Sequence, residues 1–413
     1  MNRLLAAGFV AATLAGAAFA QEQTPAEPVE AVGPITSPPT EAAAPPRSPS
    51  RARPGISTDE GGLWGMSDRA EQVARTSGQL EPDPALNAYL REVACRVAGE
   101  YCGDIRLYVM NRPYFNAQMA PNGYMEVWSG LLLRADNEAQ LAFVLGHEIG
   151  HYGERHSLAM LRTVRGRANA ALVFSILTAG AGVAVVGDIV YLGTIASVFG
   201  FSRETETQAD GMGFDHTVAA GYDPHAGHQL WANLLAETQA SDNPDTRREE
   251  TRASIFRTHP LSANRVEALT ARAAQASGGE TYREKYRAAI RPFLGSWLRA
   301  DLRRRDYGQT ALILDRLGAH GEDLGIVEYY RGEVNRLRRA EGDRERAIQH
   351  YTTAIEQPDA PPAAWRELGD YAAHDGRNAD AAAFFATYLE RAPDAGDRAL
   401  VEARLAQLTG GAP

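Results

Sequence analysis

Hydrophobic positions recur along the chain in three regimes. The first is one uninterrupted run: Leu4 to Ala17 carries no charge, follows Arg3 and precedes Ala18-Phe19-Ala20. A positive start, a short apolar core and an A-x-A site are the pattern of an export leader, so residues 1–20 are expected to be removed. The run is too short for a membrane anchor. The second regime, 21–58, is rich in Pro, Ala, Glu and Ser and poor in large apolar residues, which predicts a disordered linker. From 59 onward apolar residues return at structured periods. The spacing predicts a helix over 86–97 and short strands over 105–110 and 124–128, with the turn-rich stretch 111–123 between them. Asn137 with Gln140 three residues on predicts a capped helix start. That helix runs through Leu141, Val144 and Leu145 past His151. Further helices are expected over 208–240 and 261–275.

The last third is periodic. Gly308, Gly342 and Gly376 stand 34 residues apart, and Ala347/Ala381 and Tyr351/Phe385 share that spacing. The final unit orders Trp365, Leu368-Gly369, Gly376, Ala381, Phe385 and Pro393, which predicts tetratricopeptide-like helical hairpins over 283–410. Ile313 and Gly332 fit this register poorly. Elsewhere, Ala170 to Gly187 is uncharged, Asp188 interrupts, and 189–202 is uncharged again. A span needs about 20 apolar residues, so 170–202 reads first as buried helices or a lid. A hairpin making peripheral membrane contact comes second, and a true span third.

Composition narrows the picture. The chain has 413 residues, 44% hydrophobic and 23% charged, in the range of a globular protein of two or three domains. Net charge is −10 and only one of 42 basic residues is a lysine, Lys285, so nothing points to nucleic acid. Two cysteines exclude a zinc site of four thiolates. Export, to a bacterial periplasm, makes a Cys95–Cys102 bridge the expected state.

The chemistry lies in His147-Glu148-x-x-His151. Residues four apart share one helix face, so the two imidazoles can share one zinc ion, and Glu148 can reach its water. Composition alone would yield about 0.014 such motifs in a chain of this length. A third ligand is expected from Ser202 to Asp210, where Glu206 and Asp210 again lie four apart. Glu206 is the candidate ligand, and Asp210 the acceptor that fixes the tautomer of a ligating imidazole. Glu204 ranks below Glu206. His156, five residues after His151, would point about 140° from that face on a continued helix. It is therefore read as a structural or supporting residue. His216, His225 and His228 read as surface or packing residues.

The motif pair His147-Glu148-x-x-His151 and Arg203-x-x-Glu206-x-x-Ala209-Asp210, with Thr258-His259-Pro260-x-x-x-x-Arg265, resembles the CAAX-prenyl-endopeptidase/HtpX-like zinc metallopeptidases, which are gluzincins. The resemblance covers about residues 60–275. It implies a zinc endopeptidase with one ion held by His147, His151 and Glu206, with Glu148 as general base. It also implies that His259 and Arg265 border the site. Either could donate to the developing oxyanion, or His259 could be a fourth ligand that closes a resting enzyme. The resemblance further implies that the strand 124–128, with Asn116-Ala117 before it, edges a cleft where an extended substrate pairs. The expected architecture is mainly α with a small β-sheet: a zinc metallopeptidase domain over 59–278, then the repeat domain. The expected substrates are misfolded or stalled envelope proteins, including outer-membrane barrels, with further protein partners on the repeats. Two alternatives stand beside this. One is a chaperone or assembly adaptor with a silent zinc site; the other is a protease embedded in the membrane through 170–202.

Overall fold

A capped helix opens the fold. Thr58 accepts the Gly61 N–H at 3.0 Å, two acidic residues occupy the first turn, and α1 runs Asp59–Thr76. The structure is a computed structural model that describes residues 51–167, 201–244, 247, 259 and 261–410. The leader, most of the linker and nearly all of 170–202 lie outside the described residues. The end of the linker is already seated. The Arg51 guanidinium donates to the Gly153 carbonyl at 2.8 Å and lies 4.2 Å from the Tyr152 ring centroid. Order therefore begins before residue 59, because an aromatic face and a helix-end carbonyl give one arginine a seat.

Asp83 caps α2 (Pro84–Ala98), with Pro84 at the first helical position. The Cys95–Cys102 disulfide, the bridge expected from the sequence, ties its last turns to the 3-10 segment Gly99–Asp104. The sheet has three strands in the order β1-β3-β2. β1 (Arg106–Met110) runs parallel to β3 (Tyr124–Trp128), and β2 (Ala117–Met119) runs antiparallel to it. Sequence periodicity misses β2, because three residues inside a turn-rich stretch are too few to show alternation. That strand changes one expectation. The stretch 124–128 is central and paired on both sides, so the edge position passes to β2.

After α3 (Ser129–Arg134) comes α4 (Glu138–Gly153). Asn137 caps it by accepting the Gln140 N–H at 3.0 Å, while the Gln140 side chain turns back to the Asp136 N–H at 2.9 Å. The reciprocal half of the capping box is thus displaced by one residue. Every residue of α4 from Glu138 to Tyr152 is buried. Arg155, at φ 55°, turns the chain into α5 (His156–Arg167). The helical stretch expected over 208–240 is two helices, α6 (Arg203–Ala219) and α7 (Ala226–Ala240), separated by Gly221 at φ 81°. Next is α8 (Ala263–Ala273).

The remaining helices among the described residues are α9 (Arg283–Ile290), α10 (Leu294–Leu302), α11 (Tyr307–Gly318), α12 (Leu324–Arg338), α13 (Asp343–Ile355), α14 (Ala363–His374), α15 (Asn378–Arg391) and α16 (Arg398–Leu408). Gly342 and Gly376 adopt φ 72° and 74° in the turns before α13 and α15, which explains their matched spacing. Gly308 has a different cause: it lies in the first turn of α11, where a Cβ would meet the Ala240 carbonyl. Gly369 lets α14 approach α15, since a Cβ there would lie 2.6 Å from the Phe385 ring. Gly332 does the same for α12 against Tyr351, about one helical turn out of register.

Buried side chains from Leu86 to Val401 form one continuous core. The seam between the zinc-motif segment and the later helices is crossed by Arg134, which is fully buried. Its Nε donates to Glu237 on α7 at 2.7 Å and its Nη2 to Asp301 on α10 at 2.8 Å. Thr310 on α11 donates to the same Asp301 at 2.7 Å.

Candidate metal centre

Two helices bring the motif residues together because their facing sides are small. A Cβ on Gly213 of α6 would lie 3.0 Å from the His147 backbone nitrogen and 3.1 Å from the Phe143 carbonyl of α4. A Cβ on Gly146 would lie 3.2 Å from the Gly213 carbonyl. With backbones this close, Glu206 and Asp210, one turn apart on α6, reach the imidazoles, one turn apart on α4.

The donor atoms converge. His147 Nε2 and His151 Nε2 are 3.1 Å apart, His147 Nε2 is 3.6 Å from Glu206 Oε2, and His151 Nε2 is 3.4 Å from Glu206 Oε1. His259 adds Nδ1 at 2.9 Å from Glu206 Oε1 and 3.3 Å from His147 Nε2. One ligand atom from each of the four residues fits within a set 4.8 Å across, and all four residues are buried. A tetrahedral zinc with bonds of about 2.0–2.1 Å has ligand atoms about 3.3–3.4 Å apart, so this donor set fits zinc in both chemistry and spacing. Glu148 lies alongside. Its Oε1 is buried without a hydrogen-bond partner among the described residues, 3.7 Å from His259 Nε2, while the Met119 backbone of β2 bonds its carboxylate.

The ligand candidates are held from behind. His147 Nδ1 meets Asp210 Oδ1 at 3.1 Å, and Trp231 Nε1 donates to the same oxygen at 3.2 Å. Arg265 forks onto Asp210 through Nε and Nη2 at 2.6 and 2.7 Å, and its Nη1 lies 2.8 Å from Glu206 Oε2. All three guanidinium nitrogens thus face carboxylates. This arrangement suits a clamp on Asp210 and Glu206 better than the oxyanion donor that was one expectation for Arg265. His151 Nδ1 meets His156 Nδ1 at 2.8 Å, so His156 supports the site although α4 does not continue to carry it. Phe201 stacks on the His151 ring at 4.1 Å.

Electrostatics favour the ligating forms. Burial pushes His151 well below the ordinary imidazole value, which keeps a lone pair available. Burial alone would raise Glu206, but His259, His151 and His147 outweigh it and hold the carboxyl well below its usual range. The same contest holds Asp210 down through Arg265 and His147. Burial wins at Glu148, whose carboxyl is raised despite His259 and His147.

Other candidates lie elsewhere. Glu204 is exposed on the far side of α6 from Glu206. His225 and His228 pair with each other at 3.0 Å near the surface, and His216 is half-buried. The sequence reading missed Trp231, Phe201 and β2. No spacing rule links a tryptophan 21 residues on to Asp210, and only the packing of α7 against α4 and α6 reveals it.

Comparison with known proteins agrees with this geometry. Residues 81–273 match the model of peptidase family M48. The beta-barrel assembly-enhancing protease of Escherichia coli (strain K12) is 26% identical over 211 residues, covering 49% of this chain and 42% of that protein. The mitochondrial metalloendopeptidase OMA1 of Schizosaccharomyces pombe is 32% identical over 163 residues, covering 39% of this chain and 44% of that one. OMA1 of Arabidopsis thaliana is 34% identical over 129 residues, covering 30% and 25%. The chain spans less than half the length of each of these curated relatives. With the HExxH helix, the facing glutamate and the zinc-sized donor cluster at its centre, residues 81–273 are a peptidase family M48 domain, a zinc metallopeptidase.

Proposed function

We propose that this protein is an exported endopeptidase that hydrolyses misfolded or stalled envelope proteins, including outer-membrane barrels under assembly. The observation that carries the reaction class is the convergence of His147, His151 and Glu206 on one point with Glu148 beside it. Those three residues would hold a zinc ion. When bound, zinc lowers the pKa of a coordinated water and polarises a scissile carbonyl. Glu148 accepts the water proton and returns it to the leaving amine, two duties that its raised carboxyl suits. Asp210 and Arg265 keep His147 and Glu206 aimed. An extended peptide pairs with the outer edge of β2, whose Met119 already contacts Glu148. The leader pattern supports a periplasmic location, and the name of the Escherichia coli relative supports barrels as substrates. The hydropathy of 170–202 supports buried helices or a lid first and peripheral membrane contact second. The 34-residue glycine spacing supports tetratricopeptide-like repeats that receive protein partners.

Purified mature protein is expected to carry close to one zinc per chain, and Glu206→Gln only a small fraction of that, read by elemental analysis. Unchanged zinc in the variant removes Glu206 as a ligand.

A second reading, an adaptor whose zinc site rests closed, is favoured by His259. Its Nδ1 occupies the fourth donor position, where a water or substrate oxygen would sit. The cavity beside the site, lined by Met119, His151, Tyr152 and Arg155 among others, holds only about 10 Å³, room for one water. Both readings share a site that His259 must leave before peptide enters. His259→Ala is therefore expected to retain zinc and to raise cleavage of an unfolded barrel protein several-fold. A fall in cleavage with zinc retained would instead make His259 a donor to the transition state.

A further inference from the structure

We infer that His156, backed by Gln208, sets the tautomer and aim of His151, serving that imidazole as a neutral counterpart to the Asp210–Arg265 pair behind His147. The inference rests on the reading of His151 as a zinc ligand and adds the residues that make it one.

An imidazole that binds metal through Nε2 carries its proton on Nδ1, and a buried Nδ1–H needs an acceptor. For His147 the acceptor is the Asp210 carboxylate. For His151 the atom opposite Nδ1 is His156 Nδ1, 2.8 Å away, and both rings are buried. Two imidazole nitrogens form a hydrogen bond only when one brings the proton and the other a lone pair. With His151 as donor, His156 accepts at Nδ1 and holds its own proton on Nε2. Gln208 Oε1 stands 3.2 Å from that Nε2 and accepts it. Each assignment forces the next. The opposite order would place the His151 proton on Nε2, the atom 3.1 Å from His147 Nε2, and would remove it from the ligand set.

The chain path makes this relay. α4 stops at Gly153, and a turn with Arg155 at φ 55° follows, so His156 opens α5 with its ring against the outer nitrogen of His151. Gln208 comes from α6, two residues beyond Glu206, so one helix supplies both a ligand and the end of the relay. The neutral chain also suits the local charge. A carboxylate in place of His156 would add another buried anion to Glu148, Glu206 and Asp210.

The test is the zinc affinity of the full chain near neutral pH, measured by competition with chelators. His156→Phe, which fills the space without an acceptor, is expected to weaken zinc binding about 10–100-fold. His156→Asn, whose Oδ1 stands close to the lost Nδ1, is expected to keep most of the affinity. Gln208→Leu, at an exposed position where misfolding is not a concern, is expected to show a smaller loss. Long-range proton–nitrogen NMR of the zinc-loaded, histidine-labelled protein should show His151 protonated on Nδ1 and His156 on Nε2. Wild-type affinity in His156→Phe overturns the inference. So does an equal loss in His156→Asn, or a His156 proton on Nδ1. His151→Ala separates the two levels: zinc retained there defeats the ligand reading itself. Zinc lost there but kept in His156→Phe defeats only the relay.

Discussion

Replacing Glu148 by glutamine is expected to lower kcat/KM for an unfolded protein substrate by about 10²–10⁴-fold while zinc stays at its wild-type stoichiometry. The amide keeps the size of the side chain and an oxygen for the Met119 backbone contact, so the local fold has no cause to change. It cannot take a proton from water at the position where Oε1 now stands without a hydrogen-bond partner among the described residues. Glu148 is outside the set of ligand atoms, so the ion is held as before by His147, His151 and Glu206. Cleavage assays on refolding outer-membrane protein, paired with elemental analysis, read both halves of the expectation. Cleavage at the wild-type rate with normal zinc content would remove Glu148 as the base and leave the adaptor reading in its place.

The second large effect concerns the seam. Arg134→Met should destabilise the protein by about 3 kcal/mol, near the low end of the 3–5 kcal/mol expected when one partner of a buried ion pair is removed. The variant leaves Glu237 and Asp301 buried without the guanidinium between them. The loss stays near the low end because Arg316 still pairs with Glu237, and Arg304 and Thr310 still serve Asp301. Urea unfolding reads this as a lower midpoint, and a change below about 1 kcal/mol would mean the network carries little. The acid side gives an independent check. Burial alone would raise Asp301, but Arg134 and Arg304 outweigh it and hold the folded carboxyl below its usual range. Its contribution to stability is therefore complete above the unfolded value, about 3.9, and is lost as pH falls through the lower folded value. Arg134→Met should flatten that acid dependence.

Much of the candidate site is legible in the sequence alone. The two imidazoles, the candidate base and the candidate third ligand follow from intervals of one and four residues, because a helix converts such intervals into angles about its own axis. Asn137 announced α4 through its side-chain chemistry. The expectation that an extended substrate pairs with 124–128 fails, since β1 and the three-residue β2 already pair with both sides of that strand. On a continued helix, His156 reads as a supporting residue turned away from the ligand face. The supporting part survives, but the helix ends at Gly153 and the ring reaches His151 by another path. Arg265 was expected at the border of the site, and its fork is turned onto Asp210 and Glu206.

What the sequence determined by itself is local: helix caps, the faces on which pairs of residues stand, the glycines at positive φ, and the candidate site residues. Those follow from backbone geometry within a few residues. Only the tertiary structure decided which faces meet. It brought α6 onto α4 through bare glycine backbone, seated His259 as the fourth donor, and ran Arg134 across the seam into Asp301. Such meetings join residues tens to more than a hundred positions apart, and they depend on how every intervening turn directs the chain. No interval counted along the sequence contains that information.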